Sequence, residues 1–148
     1  MTTVTRMTSS QEINAARDAF ESFVTPKVYN ESFSAIGQAF RLQSMIGKKS
    51  WVYVKCVKDG QVTGLAYGHP YEGSDSTFFI ADIISAPGSH SGSAMVDWFA
   101  DKDNVGMPNL RTLALDAANQ ALRKVYASKW YGFEVVNEQS SRMEKSVA

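Results

Sequence analysis

The chain has 148 residues, a length suited to one domain of ordinary size. Hydrophobic residues make up 44% and charged residues 20%, which supplies a packed core and argues against a disordered chain. The 15 basic residues balance the 15 acidic ones, so the protein is not built to neutralise a phosphate backbone, and no apolar run reaches the ~18 residues that cross a bilayer.

A single cysteine, Cys56, excludes an intrachain disulfide framework and a zinc site made of several thiolates. With two histidines, His69 and His90, no dedicated metal site is expected. The N-terminal stretch Met1 to Ser10 is polar and threonine-rich, without the apolar core of a secretory signal, so the expected address is a reducing cytoplasm. No linker or repeat divides the chain, and residues 1–148 read as a single domain.

The predicted elements begin with a short strand over Thr2 to Met7, rich in β-formers. Ser9 or Ser10 then offers an N-cap with Glu12 in the first turn, and Ile13, Ala16, Phe20 and Phe23 recur at helical spacing to about Thr25, where Pro26 stops the helix. A second helix is expected from about Asn30, with Phe33, Ile36 and Phe40 on its apolar stripe and Gly47 at its end. From Val52 the period becomes two: Val52, Val54 and Cys56 alternate with Tyr53 and Lys55 up to the turn pair Asp59-Gly60. Val62 to Tyr67 is the partner strand, ended by Gly68, His69 and Pro70. Thr77 to Ala86 is nearly all apolar and reads as a central strand buried on both faces, interrupted by Asp82.

After Pro87 the loop Gly88-Ser89-His90-Ser91-Gly92-Ser93-Ala94 runs into a helix carrying Met95, Val96, Trp98 and Phe99. Asp101 to Asn109 reads as a polar loop and Leu110 to Leu115 as a strand. A helix follows, capped within Asp116 to Asn119 and running to about Lys129, with Leu122, Val125 and Tyr126 inward and Gly132 as its breaker. Phe133 to Val136 and Arg142 to Val147 are closing strands. The plan is mixed α/β.

The informative unit is the strand, the small-residue loop and the helix after it. The first N–H groups of a helix have no intrahelical partner, and its dipole favours negative charge there. Small side chains from Gly88 to Ala94 would let a phosphate reach that backbone. The same sequence also suits a plain strand-to-helix turn. It is neither a Walker loop nor a Rossmann fingerprint, since no Gly-Lys-Ser/Thr follows and the glycine spacing is wrong.

On these residues the chain resembles the GNAT superfamily of acyl-CoA-dependent N-acyltransferases. Ser89-His90-Ser91-Gly92-Ser93-Ala94 is similar to the family's pyrophosphate loop, Arg/Gln-x-x-Gly-x-Gly/Ala, with Ser89 in place of Arg or Gln. Ala81-Asp82-Ile83-Ile84-Ser85-Ala86-Pro87 is similar to its fourth-strand pattern, with Ala81 where a glutamate often sits. Asn119, Tyr126 and Gly132-Phe133 resemble its Asn-x6-Tyr and terminal Gly-Phe, with two extra residues between Tyr126 and Gly132.

The resemblance implies a mostly antiparallel sheet with one splayed parallel strand pair, flanked by about four helices. It implies transfer of an acetyl group from acetyl-CoA, without a metal, to a primary amine. Ile83, Ile84, Ser85, His90, Ser91, Gly92, Ser93, Ala94, Asn119 and Tyr126 would bind the acetyl-CoA. Tyr126 would protonate the departing thiolate and Asp82 would take the amine proton. Asp82, Phe33, Tyr71 and Glu72 would face the acceptor.

Bland readings stand beside these. Asp82 also suits a structural partner of loop N–H groups, Tyr126 a half-buried aromatic, Asn119 a helix cap and His90 an exposed loop residue. Ser128 takes the tyrosine's place if counted back from Gly132. His69 reads as a turn residue, Cys56 as core, and Trp98 and Trp130 as core or rim anchors. The expected partners are acetyl-CoA and an amine, with a homodimer allowed, and neither nucleic acid nor membrane. A domain of the same fold that binds acyl-CoA or a protein without catalysis is the alternative.

Overall fold

The computed structural model describes residues 1–24, 51–86, 88–117 and 120–147. The expected helix from about Asn30, Phe33 with it, and the candidate Asn119 lie outside the described residues.

Seven strands form one sheet: β1 (Thr2–Met7), β2 (Val52–Lys58), β3 (Gln61–Pro70), β4 (Thr77–Ser85), β5 (Thr112–Asp116), β6 (Glu134–Val135) and β7 (Arg142–Ser146). The spatial order is β1-β2-β3-β4-β5-β7-β6, and every neighbouring pair is antiparallel except β4 and β5. The described helices are α1 (Ser10–Val24), α2 (Ser91–Phe99), α3 (Lys102–Val105) and α4 (Gln120–Ala127). No described helix is long and apolar enough to cross a membrane.

Helix α1 starts where its sequence allows. The Ser9 Oγ accepts from the Glu12 N–H at 3.2 Å, and the Glu12 carboxylate reaches back to the Thr8 N–H at 3.2 Å. Two otherwise orphaned donors are thereby satisfied. Its buried stripe, Ile13, Ala16 and Phe20, packs on Tyr53, Leu65 and Tyr67. The opposite face of the sheet packs on α2 through Met95, Val96 and Phe99, with Phe78 and Phe99 rings stacked at 5.1 Å. The β2–β3 turn uses positive φ at Asp59 (52°) and Gly60 (80°), the turn geometry that matches strand twist.

Several boundaries differ from the sequence expectation. β3 does not stop before Gly68 but pairs through to Pro70↔Phe78, with a register slip at Tyr67/Gly68. The polar stretch from Asp101 contains α3, a single turn capped by the Asp101 carboxylate on the Asp103 N–H (2.9 Å) and closed by Gly106 at φ 68°. β4 is not buried on both faces: Phe78 and Ile80 are buried, Ala81 to Ile84 are half-buried and Ser85 is exposed. The doubly buried strands are β2 and β3, from Val52 to Val54 and from Thr63 to Gly68. β4 falls short because β5 leaves it. Their register is Thr77↔Thr112, Phe78↔Leu113 and Phe79↔Ala114, and then ends.

The slip in β4 resolves the anomaly of Asp82. Ile80 pairs with Gly68 and Asp82 pairs with Tyr67, so Ala81 is an extra residue opposite neither. Strict alternation would put Asp82 on the face of Phe78 and Ile80, among apolar side chains. The bulge instead sets it opposite Tyr67, on the α1 face. Gly68 makes room for this: an added Cβ would collide with the Phe79 carbonyl oxygen and lie 2.6 Å from Phe78 Cε2. Gly68→Ala is therefore expected to cost about 1–3 kcal/mol of stability by overpacking, read as a lower urea midpoint with an unchanged slope. A midpoint equal to wild type would contradict the close approach.

Candidate active site

Two features converge at the C-terminal end of β4. The first is the parting of β4 and β5. Beyond Phe79 the β5-facing edge of β4 has no strand partner among the described residues, so its backbone groups are open to a ligand with amides of its own. Ile83, Ile84 and Ser85 lie in this stretch, their other edge paired with Ala66, Leu65 and Gly64 of β3.

The second is the start of α2. Ala86, two residues before the turn residue Gly88, donates its N–H to the Thr63 carbonyl at 2.8 Å. Gly88 (φ 75°) and His90 (φ 57°) then reverse the chain. Thr63 Oγ1 and Ser91 Oγ, both buried, bond at 2.6 Å and pin the first residue of α2 to β3. Gly64 lets the helix approach: a Cβ there would lie 2.7 Å from Met95 Cε and 2.9 Å from Ser91 Cβ. The loop hydroxyls are spent inside the loop. Ser89 Oγ donates to the Ala86 carbonyl (2.7 Å) and accepts from the Ser91 N–H (3.3 Å), and Ser93 Oγ donates to the His90 carbonyl (3.0 Å). Gly92 and Ser93 N–H groups have no acceptor among the described residues. Lys58 Nζ donates to the Ser89 carbonyl at 3.5 Å and brings a positive charge to the same loop. The arrangement suits an anion.

Tyr126, on α4, is buried in the α2-side core, with the Tyr131 ring edge-on at 5.2 Å and the Phe133 ring at 6.3 Å. Burial pushes its phenol up to about 12, and Tyr131 and the Asp82 carboxylate push in the same direction. Asp82 is paired with Tyr67, on the α1 face. Asp82 Oδ2 accepts from the Tyr67 hydroxyl at 2.8 Å. Tyr67 stacks between Trp51 (5.4 Å) and Tyr53 (5.7 Å), while His69 lies against Trp51 (4.3 Å) and Phe79 (5.6 Å). His69 is thus part of an aromatic row rather than a turn.

The other sequence candidates are placed as follows. Ser128 Oγ donates to the Val125 carbonyl at 2.6 Å, a bond within its own helix end. His90 sits at the N-cap position of α2 without a side-chain cap bond, its ring against Trp130 at 4.4 Å. Trp130 is accordingly a rim residue, 54% exposed. Ala94 N–H is bonded to the His90 carbonyl at 3.3 Å and so is not available to an anion. Tyr71 lies under Arg142, whose guanidinium stands 4.9 Å from the Tyr71 ring centre and 5.2 Å from that of Phe79. Glu72 is exposed in the β3–β4 turn, at the end of β4 remote from Ser85, and is not brought to the parting. Cys56 is fully buried core. No group of three or more His, Cys, Asp or Glu among the described residues is placed to hold a metal.

Sequence reasoning missed Thr63, Tyr67, Lys58 and Tyr131. The first three come from strands whose register decides what they meet. Tyr131 was signalled by the two extra residues between Tyr126 and Gly132.

The sequence matches no protein-family model and no curated protein sequence. Solved structures do match. A chain from Desulfovibrio desulfuricans assigned to the GNAT family of acetyltransferases superposes with a TM-score of 0.67 at 16% identity, covering 100% of both chains. The ribosomal-protein-S18-alanine N-acetyltransferase from Escherichia coli gives 0.64 at 16% identity, over 100% of this chain and 95% of that one. An aminoglycoside acetyltransferase in complex with coenzyme A and kanamycin gives 0.61 at 16% identity, over 99% and 95%.

The Tyr126 environment has a measurable consequence. An unfolded tyrosine ionises near pH 10, whereas the folded chain holds this proton to about 12. Between those values the folded state binds more protons than the unfolded state, so stability falls as pH rises. Tyr126→Phe is expected to flatten that part of the decline in urea unfolding across the window. An unchanged slope would show that the phenol is not held neutral.

Proposed function

We propose that this chain, which has the GNAT fold, is an N-acetyltransferase that moves an acetyl group from acetyl-CoA to a primary amine by direct transfer. The observation that carries this reading is the parted β4–β5 pair with the open start of α2 at its end.

The residues present fit coenzyme A. Gly92 and Ser93 N–H groups and Lys58 would hold the pyrophosphate. The free edge of β4 at Ile83 to Ser85 would pair with the amides of the pantetheine arm. When bound, the cofactor supplies an acetyl thioester. A backbone N–H near Ile84 would polarise its carbonyl, an oriented donor in a partly dry cleft. Tyr126 remains protonated at neutral pH and has the proton that a departing thiolate needs. Asp82, oriented by Tyr67, would accept the amine proton directly or through water. The acceptor would enter from the α1 face, where Asp82 and the rings of Trp51, Tyr67, His69 and Phe79 form a wall suited to a cationic amine. Much of the rate would come from positioning. The neighbour complex with coenzyme A and kanamycin is consistent with an amine acceptor.

Calorimetry with coenzyme A, and free-thiol release from acetyl-CoA over a panel of primary amines, tests the reading. The expected results are binding, a melting temperature that rises with ligand concentration, and thiol release with at least one amine. No heat and no thermal shift at millimolar coenzyme A would overturn it. Binding without thiol release from any amine would leave a binding domain.

Tyr126→Phe removes the hydroxyl and keeps the ring. It is expected to lower kcat by about ten- to a thousand-fold with little change in coenzyme A affinity. Wild-type kcat would remove Tyr126 from the chemistry.

A further inference from the structure

The α4–β6 connection is where the sequence carries its two extra residues, and it does not run away from the cleft. It folds into a tight turn, with the Tyr131 N–H (3.1 Å) and the Gly132 N–H (2.8 Å) both on the Ser128 carbonyl and the Phe133 N–H on the Tyr126 carbonyl (2.9 Å). The turn presents two consecutive rings to the start of α2. Trp130 lies on the His90 ring at 4.4 Å. The Tyr131 hydroxyl lies directly over Gly92, where an added Cβ would collide with it, and the Ser85 side chain at the end of β4 acts on the same phenol. Its ring meets Tyr126 edge-on at 87°.

Ser85 and Gly92 are the two ends of the path described above, from the open edge of β4 to the free N–H groups of α2. One phenol bridges both. We infer that Tyr131 is a cofactor-gating residue, which fills the path of the pantetheine arm in the free protein and sets coenzyme A affinity by having to leave. The inference rests on the proposed use of coenzyme A. The turn is suited to such a movement. Trp130 is 54% exposed, and Tyr131 is half-buried, packed against the rim of the core and edge-on to Tyr126. When the binding-competent form is only a fraction of the population, apparent affinity is reduced by that fraction.

The sign of the effect distinguishes a gate from an ordinary contact residue. Tyr131→Ala is expected to bind coenzyme A about ten-fold more tightly than wild type in calorimetry. Tyr131→Phe, which removes only the hydroxyl over Gly92, is expected to gain about two- to three-fold. Unchanged or weaker binding by Tyr131→Ala, in protein that melts cooperatively, would overturn the inference. Hydrogen exchange on the wild-type protein needs no substitution: amides 130–132 should exchange faster with coenzyme A bound, and slower or unchanged exchange would overturn the gate. Heat from the wild type without either signature defeats the gate alone. Absence of binding by the wild type and both variants defeats the proposed function, and the gate with it.

Discussion

The site depends on one extra residue in β4. With Ala81 bulged, the strand changes phase between Ile80 and Asp82. Before the bulge, Phe78 and Ile80 fill the α2-side core; after it, Ile83 takes that side while Asp82 and Ile84 turn to α1. An ionised carboxylate among Phe78, Ile80 and Met95 would be costly without compensation. Opposite Tyr67 it receives a charge-assisted hydrogen bond, worth about 1.5–3 kcal/mol in comparable cases. A bulge also increases local twist, and β5 last pairs with β4 at Phe79, three residues before Asp82. Strand phase and strand parting thus act at the same place.

The second constraint is the distance between α2 and the sheet. Gly64 removes the side chain that would hold the helix off, and the Thr63–Ser91 hydroxyl pair fixes its first residue. Both groups are buried, so leaving either unpaired would expose it to a desolvation penalty. The loop between β4 and α2 therefore has little freedom. Its own hydroxyls bond the carbonyls of Ala86 and His90, and the backbone donors of Gly92 and Ser93 have no acceptor among the described residues.

Tyr126 and Asp82 lie on opposite sides of the sheet. The phenol is in the α2-side core, and the carboxylate is paired with Tyr67 on the α1 face. Burial, with Tyr131 and the Asp82 carboxylate acting in the same direction, keeps the phenol protonated far above neutral pH.

Local pattern determined much of this protein. The capped start and apolar stripe of α1, the β2–β3 turn at Asp59-Gly60, the α2 helix and its small-residue approach, and the order of strands and helices through the described residues, α3 apart, all follow from spacing and turn chemistry within a few residues. These depend on nearest neighbours in sequence, which is why they were legible, and the candidates Asp82, Gly92 and Tyr126 stood out by type and context. Register was not legible. The period of two in β4 puts Asp82 on the wrong face, because a bulge is decided by what β3 presents, here Gly68 and Tyr67. The apolar run of β4 suggested burial on both sides, because the loss of a neighbouring strand leaves no mark in its own residues. Tyr131 showed only as a spacing two residues too long, and Thr63 and Tyr67 as ordinary strand positions. Their partners, Gly92 with Ser85, Ser91 and Asp82, come from other elements of the chain, and only the tertiary structure brings them together.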